Sequence, residues 1–265
     1  MKTFATRFPL LFAVITTLVA MLCLIWPLWF SRLLLSAQII LGRITICLFV
    51  VALLSSLHWW AEAGFVRMKS WRILLPYLPL ILLVTLGKVS ELTTKGIHVT
   101  DYKLILLGLI VYLAGGFMEE AVFRGLVLRT LLPGGLIKAA LLSSLIFAIV
   151  HFTNLLGGAN LNDTFLQVII AFLAGFAFTA PLAVTRNIWP LVFIHALNNF
   201  VAYLAIGGFT NTAETSQNPT LGSAITSIVQ WLLLSIYSFW MLSTSRKKNK
   251  RSAAILEPPF AYGDK

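Results

Sequence analysis

LILLGLIVYLAGGFMEEAVFRGLVLRTLL, residues 104–132, is the stretch whose reading decides the fold of this chain. It is long and apolar enough to cross a bilayer, whose hydrocarbon core takes ~20 residues of helix. Near its middle stands EEAVFR, Glu119 to Arg124. Two adjacent carboxylates and a guanidinium are costly in lipid and must face protein or water, so charges at this depth point to a functional site.

The rest of the chain supports a membrane setting. Of its 265 residues 59% are hydrophobic and 11% charged, against roughly a quarter charged in soluble domains. Apolar runs predict eight spans at about 8–30, 35–58, 73–88, 103–131, 136–154, 164–184, 188–206 and 223–243. The expected fold class is therefore all-α, a polytopic membrane helical bundle. The third run is short and holds Pro76 and Pro79, which suggests a start in the interface. The first run is too long for a signal peptide and has no clear small-residue cleavage site, so it reads as a retained helix.

The net charge of +11 does not indicate nucleic-acid binding, because the cations fall in short gaps between apolar runs and in the tail RKKNKR. That distribution follows the positive-inside rule and contact with anionic headgroups of the lipid bilayer. Arg67, Lys69 and Arg72, then Arg129 and Lys138, then Arg186 and the tail mark one side. Loops 155–163 and 207–222 carry no Lys or Arg, but contain Asp163 and Glu214. A multi-pass protein of the cell membrane with both termini cytoplasmic is expected; Arg32 and Arg43 run against the pattern. Cys23 and Cys47 lie in apolar runs as small packing side chains, and neither CxxC nor HExxH occurs.

Residues 1–102 are expected to form about three N-terminal transmembrane helices, and 103–206 a core of four. Residues 207–245 would supply an external loop and the last span, and 246–265 a basic, disordered cytoplasmic tail.

Among acidic residues only Glu119 and Glu120 fall well inside an expected span, and among histidines only His151 and His195 lie within or at the edge of one. Glu120 and Arg124 stand at i,i+4 with the acid first, the favourable order for a helical ion pair. Glu119 points about 100° away and is free to face another partner. Phe147 and His151 share a helix face at i,i+4, as do His195 and Asn199, while Asn198 reads as plain packing. A salt-bridge cluster holding helices together and interhelical hydrogen bonding are the structural alternatives. Together the three segments hold what hydrolysis needs: a carboxylate base, an imidazole to share its water, and donors for an oxyanion. Glu119, His151 and His195 could equally bind zinc with an open position for water.

EEAVFR, FAIVH and HALNN, in that order on successive apolar helices, resemble the E-E-x-x-x-R, F-x-x-x-H and H-x-x-x-N motifs of the CAAX-protease and bacteriocin-processing family, also called Abi. These are intramembrane glutamic endopeptidases. The resemblance covers about residues 100–205 and implies a helical bundle around an intramembrane polar cavity. It implies Glu119 and His151 as the water-activating pair, and His195 and Asn199 as the oxyanion hole. Glu120 and Arg124 would then support Glu119, and Phe147 would pack behind His151. It implies no cofactor, zinc being the alternative at the same residues, and a membrane-associated peptide or protein as substrate. The chain reads as bacterial, so a C-a-a-X tail is not the expected substrate; bacteriocin maturation, self-immunity or surface-protein processing are. The competing class is a non-enzymatic immunity or scaffold protein. The sequence gives no indication of oligomeric state.

Overall fold

The computed structural model describes residues 1–30, 32–209 and 221–248, and every regular element among them is helical. After a short turn of helix at Lys2–Arg7, eight long helices follow: α1 (Pro9–Ile25), α2 (Leu35–Leu57), α3 (Leu78–Lys95), α4 (Tyr102–Glu120), α5 (Leu136–Ile149), α6 (Leu161–Thr185), α7 (Trp189–Ile206) and α8 (Leu221–Lys248). With their flanking turns, all eight are long and apolar enough to cross a membrane, as the hydropathy of the sequence predicts. The bundle is dressed for lipid: large apolar side chains such as Leu18, Leu48, Leu86, Ile110, Leu233 and Trp240 are exposed on its outside. The central part of the 207–222 loop and nearly all of the expected tail lie outside the described residues.

The boundaries differ from the expected ones in three instructive places. The third span opens with a 3-10 turn at Trp71–Tyr77 and then runs to Lys95, well past residue 88. Its extra turns are held by Lys88 and Lys95, whose ammonium groups lie 2.6 and 3.2 Å from the Glu91 carboxylate at i,i+3 and i,i+4. Beyond Glu120, α4 widens into a π-helix at Ala121–Leu128 rather than continuing as α. There Ser143 of α5 donates a 2.8 Å hydrogen bond to the Phe123 carbonyl, and an inserted hydroxyl of this kind accompanies such departures. Lastly, α5 stops at Ile149 and gives way to a 3-10 segment, Val150–Gly157, so His151 stands just past the α-helical end.

Close approach between helices is made by small residues, since lipid tails leave packing and hydrogen bonds to hold a membrane bundle together. On α4, Gly116 faces the α7 backbone; a Cβ there would lie 2.5 Å from the Val192 carbonyl oxygen and 2.9 Å from Ala196 N. Gly108, two turns earlier, faces the Tyr203 ring, whose hydroxyl donates to the Leu104 carbonyl at 2.9 Å. Serines do the corresponding work on α8: Ser235 and Ser238 donate to the Leu173 and Ala177 carbonyls of α6 at 2.9 and 2.6 Å. Gly116→Leu is therefore expected to force α4 and α7 apart, at ~3 kcal/mol or more for overpacking against backbone. Loss of the protein from membranes and a lowered Tm in detergent would show it; an unchanged Tm would contradict the packing.

Candidate active site

The α4–α7 contact sets the site. With Gly116 against Val192 and Ala196, the next turn of α4 brings Glu119 and Glu120 opposite His195, 75 residues away in sequence from Glu120. The His195 ring lies between the two carboxylates. Its Nδ1–H donates to Glu120 Oε1 at 2.7 Å, and Nε2 lies 3.4 Å from Glu119 Oε2. The ring can donate to both only as an imidazolium; as a neutral ring with Nδ1–H it offers Glu119 a lone pair instead.

Glu120 also receives Arg124 Nη1 at 3.2 Å on the same oxygen, and this i,i+4 pair spans the start of the π-helix. Both partners are sealed from solvent, at 0% and 3% exposure. The Arg124 guanidinium is further held between aromatic faces, 4.5 Å from the Phe147 centroid and 5.2 Å from that of Phe178. Glu119 differs from its neighbour in exposure, its side chain being 22% accessible. One carboxylate is thus locked in the core and the other faces open space.

His151 reaches the site from the 3-10 segment. Its Nδ1–H donates to the Phe147 carbonyl at 2.8 Å, capping the end of α5 and leaving Nε2 as the free ring nitrogen. Phe147 stands edge-on to His151 at 4.9 Å, with its ring also against Phe123 and within 6.2 Å of His195. It therefore spaces the two imidazoles and holds Arg124. Arg124, His151 and His195 all lie within electrostatic reach of Glu119.

A cavity of about 200 Å³ opens beside the histidines, lined by His151, His195, Asn198, Asn199, Gln167 and Phe178 among others. Val84 of α3 and Trp231 of α8 complete its wall, so helices outside the 103–206 core take part. Asn198, expected to be plain packing, lines this cavity and donates from Nδ2 to Asn199 Oδ1 at 3.2 Å. That bond leaves the Asn199 amide N–H₂ as the group available to a ligand. All seven residues singled out in the sequence fall in this one region of the bundle, across α4, α5 and α7 and the turns that follow α4 and α5.

Sequence reasoning missed Arg43. In the charge pattern it stands as a topological exception, yet it lies inside α2 with its guanidinium 5.0 Å from the Tyr112 ring centroid. It too is within electrostatic reach of Glu119. A guanidinium nine residues into an apolar run was the signal, and the depth criterion applied to Arg124 would have found it.

With His195 Nδ1 on Glu120 and His151 Nδ1 on a backbone carbonyl, zinc at this site would be held by Nε2 of the two rings and by Glu119. Among the described residues no three His, Cys, Asp or Glu side chains are grouped to hold a metal ion.

Eight apolar helices around a buried carboxylate–imidazole cluster define a polytopic membrane protein with a polar site inside its bundle. Residues 101–201 match the model of a protease family, described as type II CAAX prenyl endopeptidase Rce1-like. The matched segment contains EEAVFR, FAIVH and HALNN, so the resemblance carried by these motifs is shown at the level of the CAAX-protease and bacteriocin-processing family. Searches of curated proteins and of solved structures give no match.

Proposed function

We propose that this protein is an intramembrane endopeptidase that hydrolyses a peptide bond of a membrane-associated peptide or protein. The attacking water is activated by Glu119 together with His151. The observation that carries the proposal is the meeting of the three motif segments, with His195 Nε2 3.4 Å from Glu119 Oε2 and His151, His195 and Asn199 on one cavity wall.

In this scheme the accessible Glu119 carboxylate takes a proton from water as the oxygen attacks the scissile carbonyl carbon. The free Nε2 of His151 shares that water as acceptor. The carbonyl oxygen becomes an oxyanion, received by the Asn199 amide N–H₂ and by His195 Nε2–H, the ring nitrogen not engaged by Glu120. When the C–N bond breaks, Glu119 returns its proton to the leaving amine, so the enzyme ends as it began. Glu120 and Arg124 hold His195 in place, and Phe147 sets the spacing of the two rings.

No step needs a metal. The name of the matched family specifies prenylated CAAX tails; for this chain we assign the broader class, a peptide segment entering from the bilayer. The apolar wall of Val84, Ile170, Phe178 and Trp231 suits such a segment.

The test is cleavage of a library of membrane-anchored peptides by the purified protein in lipid vesicles, before and after exhaustive chelation. Cleavage is expected with either preparation. Loss on chelation with recovery on added zinc would overturn the metal-free scheme. No cleaved product from well-folded protein would overturn the peptidase and favour a binding or immunity role.

A further inference from the structure

The scheme above leaves one intramembrane cation without a task. Arg43 lies within α2, eight residues past its first residue, and is the one charged side chain of a helix that packs against α1 and α4. Its guanidinium fits against α4 because Gly115 has no side chain; a Cβ there would sit 3.2 Å from Arg43 Nε. Gly115 is one helical turn before Glu119 on the same face, and side chains on a helix lean toward its N-terminus. The guanidinium therefore lies on the α2 side of the α4 face that carries Glu119, one turn nearer the N-terminus, while His195 meets the Glu119 carboxylate from α7. Tyr112, on the turn before Gly115, holds the guanidinium by a cation–π contact and itself packs on Tyr203 and Phe209. The Nε of Arg43 is buried with no hydrogen-bond acceptor among the described residues.

The groups around Glu119 are Glu120 and Arg124 on its own chain segment, His195 from α7, His151 from the segment after α5, and Arg43 from α2. Arg124 is committed to Glu120 at 3.2 Å. Without Arg43 the two carboxylates would face one guanidinium and the two imidazole rings. In a low-dielectric site an unbalanced carboxylate is strongly disfavoured.

We propose that Arg43 is a positioning residue for Glu119, its guanidinium supplying the cationic partner that orients this carboxylate from the α2 side. The proposal rests on the peptidase reading for its consequence in catalysis, but the pairing of Arg43 with Glu119 can be tested without it.

Two measurements decide the matter on Arg43→Gln, Arg43→Met and Arg43→Lys in lipid vesicles. The first is labelling of Glu119 by dicyclohexylcarbodiimide, which attacks protonated carboxyls in apolar surroundings, read by peptide mass mapping with Glu119→Gln as the blank. Faster labelling of Glu119 is expected in Arg43→Gln and Arg43→Met, on the order of 10-fold, with Arg43→Lys close to the parent. The second is turnover of a peptide cleaved by the parent protein. Here kcat is expected to fall on the order of 10- to 100-fold in Gln and Met, with KM within about 3-fold and most of the loss recovered in Lys. Unchanged labelling in both neutral variants overturns the proposal, whatever the fate of the peptidase scheme. A rise in KM alone overturns it in favour of a substrate anchor. Altered labelling with no peptidase activity in the parent would keep the Arg43–Glu119 pairing and reject the reaction. Should Arg43→Gln fail to accumulate, Arg43→Met, which keeps the bulk of the side chain, carries both measurements.

Discussion

Glu119→Gln is expected to lower turnover of a membrane-anchored peptide on the order of 10³-fold, with membrane abundance and Tm close to those of the parent. Removing a general base costs roughly 10²- to 10⁴-fold, which corresponds to about 4 kcal/mol of barrier for three decades. The fold should survive because the Glu119 side chain is partly accessible and its partner is His195 at 3.4 Å, which an amide oxygen can still accept from. Gln keeps the shape and removes the charge, so it separates proton abstraction from packing. His151→Ala and His195→Ala should fall in the same range, but His195→Ala should also lower stability, since it strips Glu120 of its 2.7 Å donor. Full cleavage by Glu119→Gln would show that another group activates the water.

The second large effect falls on folding. Arg124→Met is expected to destabilise the bundle by ~3–5 kcal/mol, the usual result of removing one partner of a buried ion pair. Glu120 has 0% exposure and would keep only the His195 ring as a hydrogen-bonding partner. The Phe147 and Phe178 faces would also lose their cation. A sharply lower Tm in detergent and reduced membrane abundance are the readouts. In the double variant Glu120→Gln with Arg124→Met, much of the stability should return, because the orphaned charge is gone and the amide still accepts from His195 Nδ1. If Arg124→Met alone is as stable as the parent, the buried pair does not stabilise the bundle.

Much of this protein is legible without coordinates, and the reasons can be named. Spans show in hydropathy because each helix must be apolar over a bilayer thickness, and all eight were visible in this way. The Glu120–Arg124 pair showed because it is local, four residues apart on one helix. His151 was seen as a candidate but assigned to the wrong backbone: its ring caps α5 from a 3-10 segment, a geometry that i,i+4 spacing on an α-helix does not anticipate. The π-helical turn after Glu120 was likewise invisible, since the Ser143 hydroxyl that accompanies it comes from another helix. Arg43 was visible and misjudged, its depth in α2 weighed as topology rather than as chemistry.

The sequence by itself determined the class: an eight-span helical membrane protein, its family motifs, and the carboxylates, imidazoles and amide available for chemistry. These follow from composition, period and short-range spacing, which act within one helix. Only the tertiary structure decided which atoms meet. His195 divides its two nitrogens between Glu120 and Glu119, His151 and Asn199 join it around one cavity, and Arg43 packs over Gly115 one turn before Glu119. Those pairings depend on the depth and rotation of one helix against the next. In this bundle they are set by missing side chains at Gly115 and Gly116, whose effect is felt only when another helix arrives.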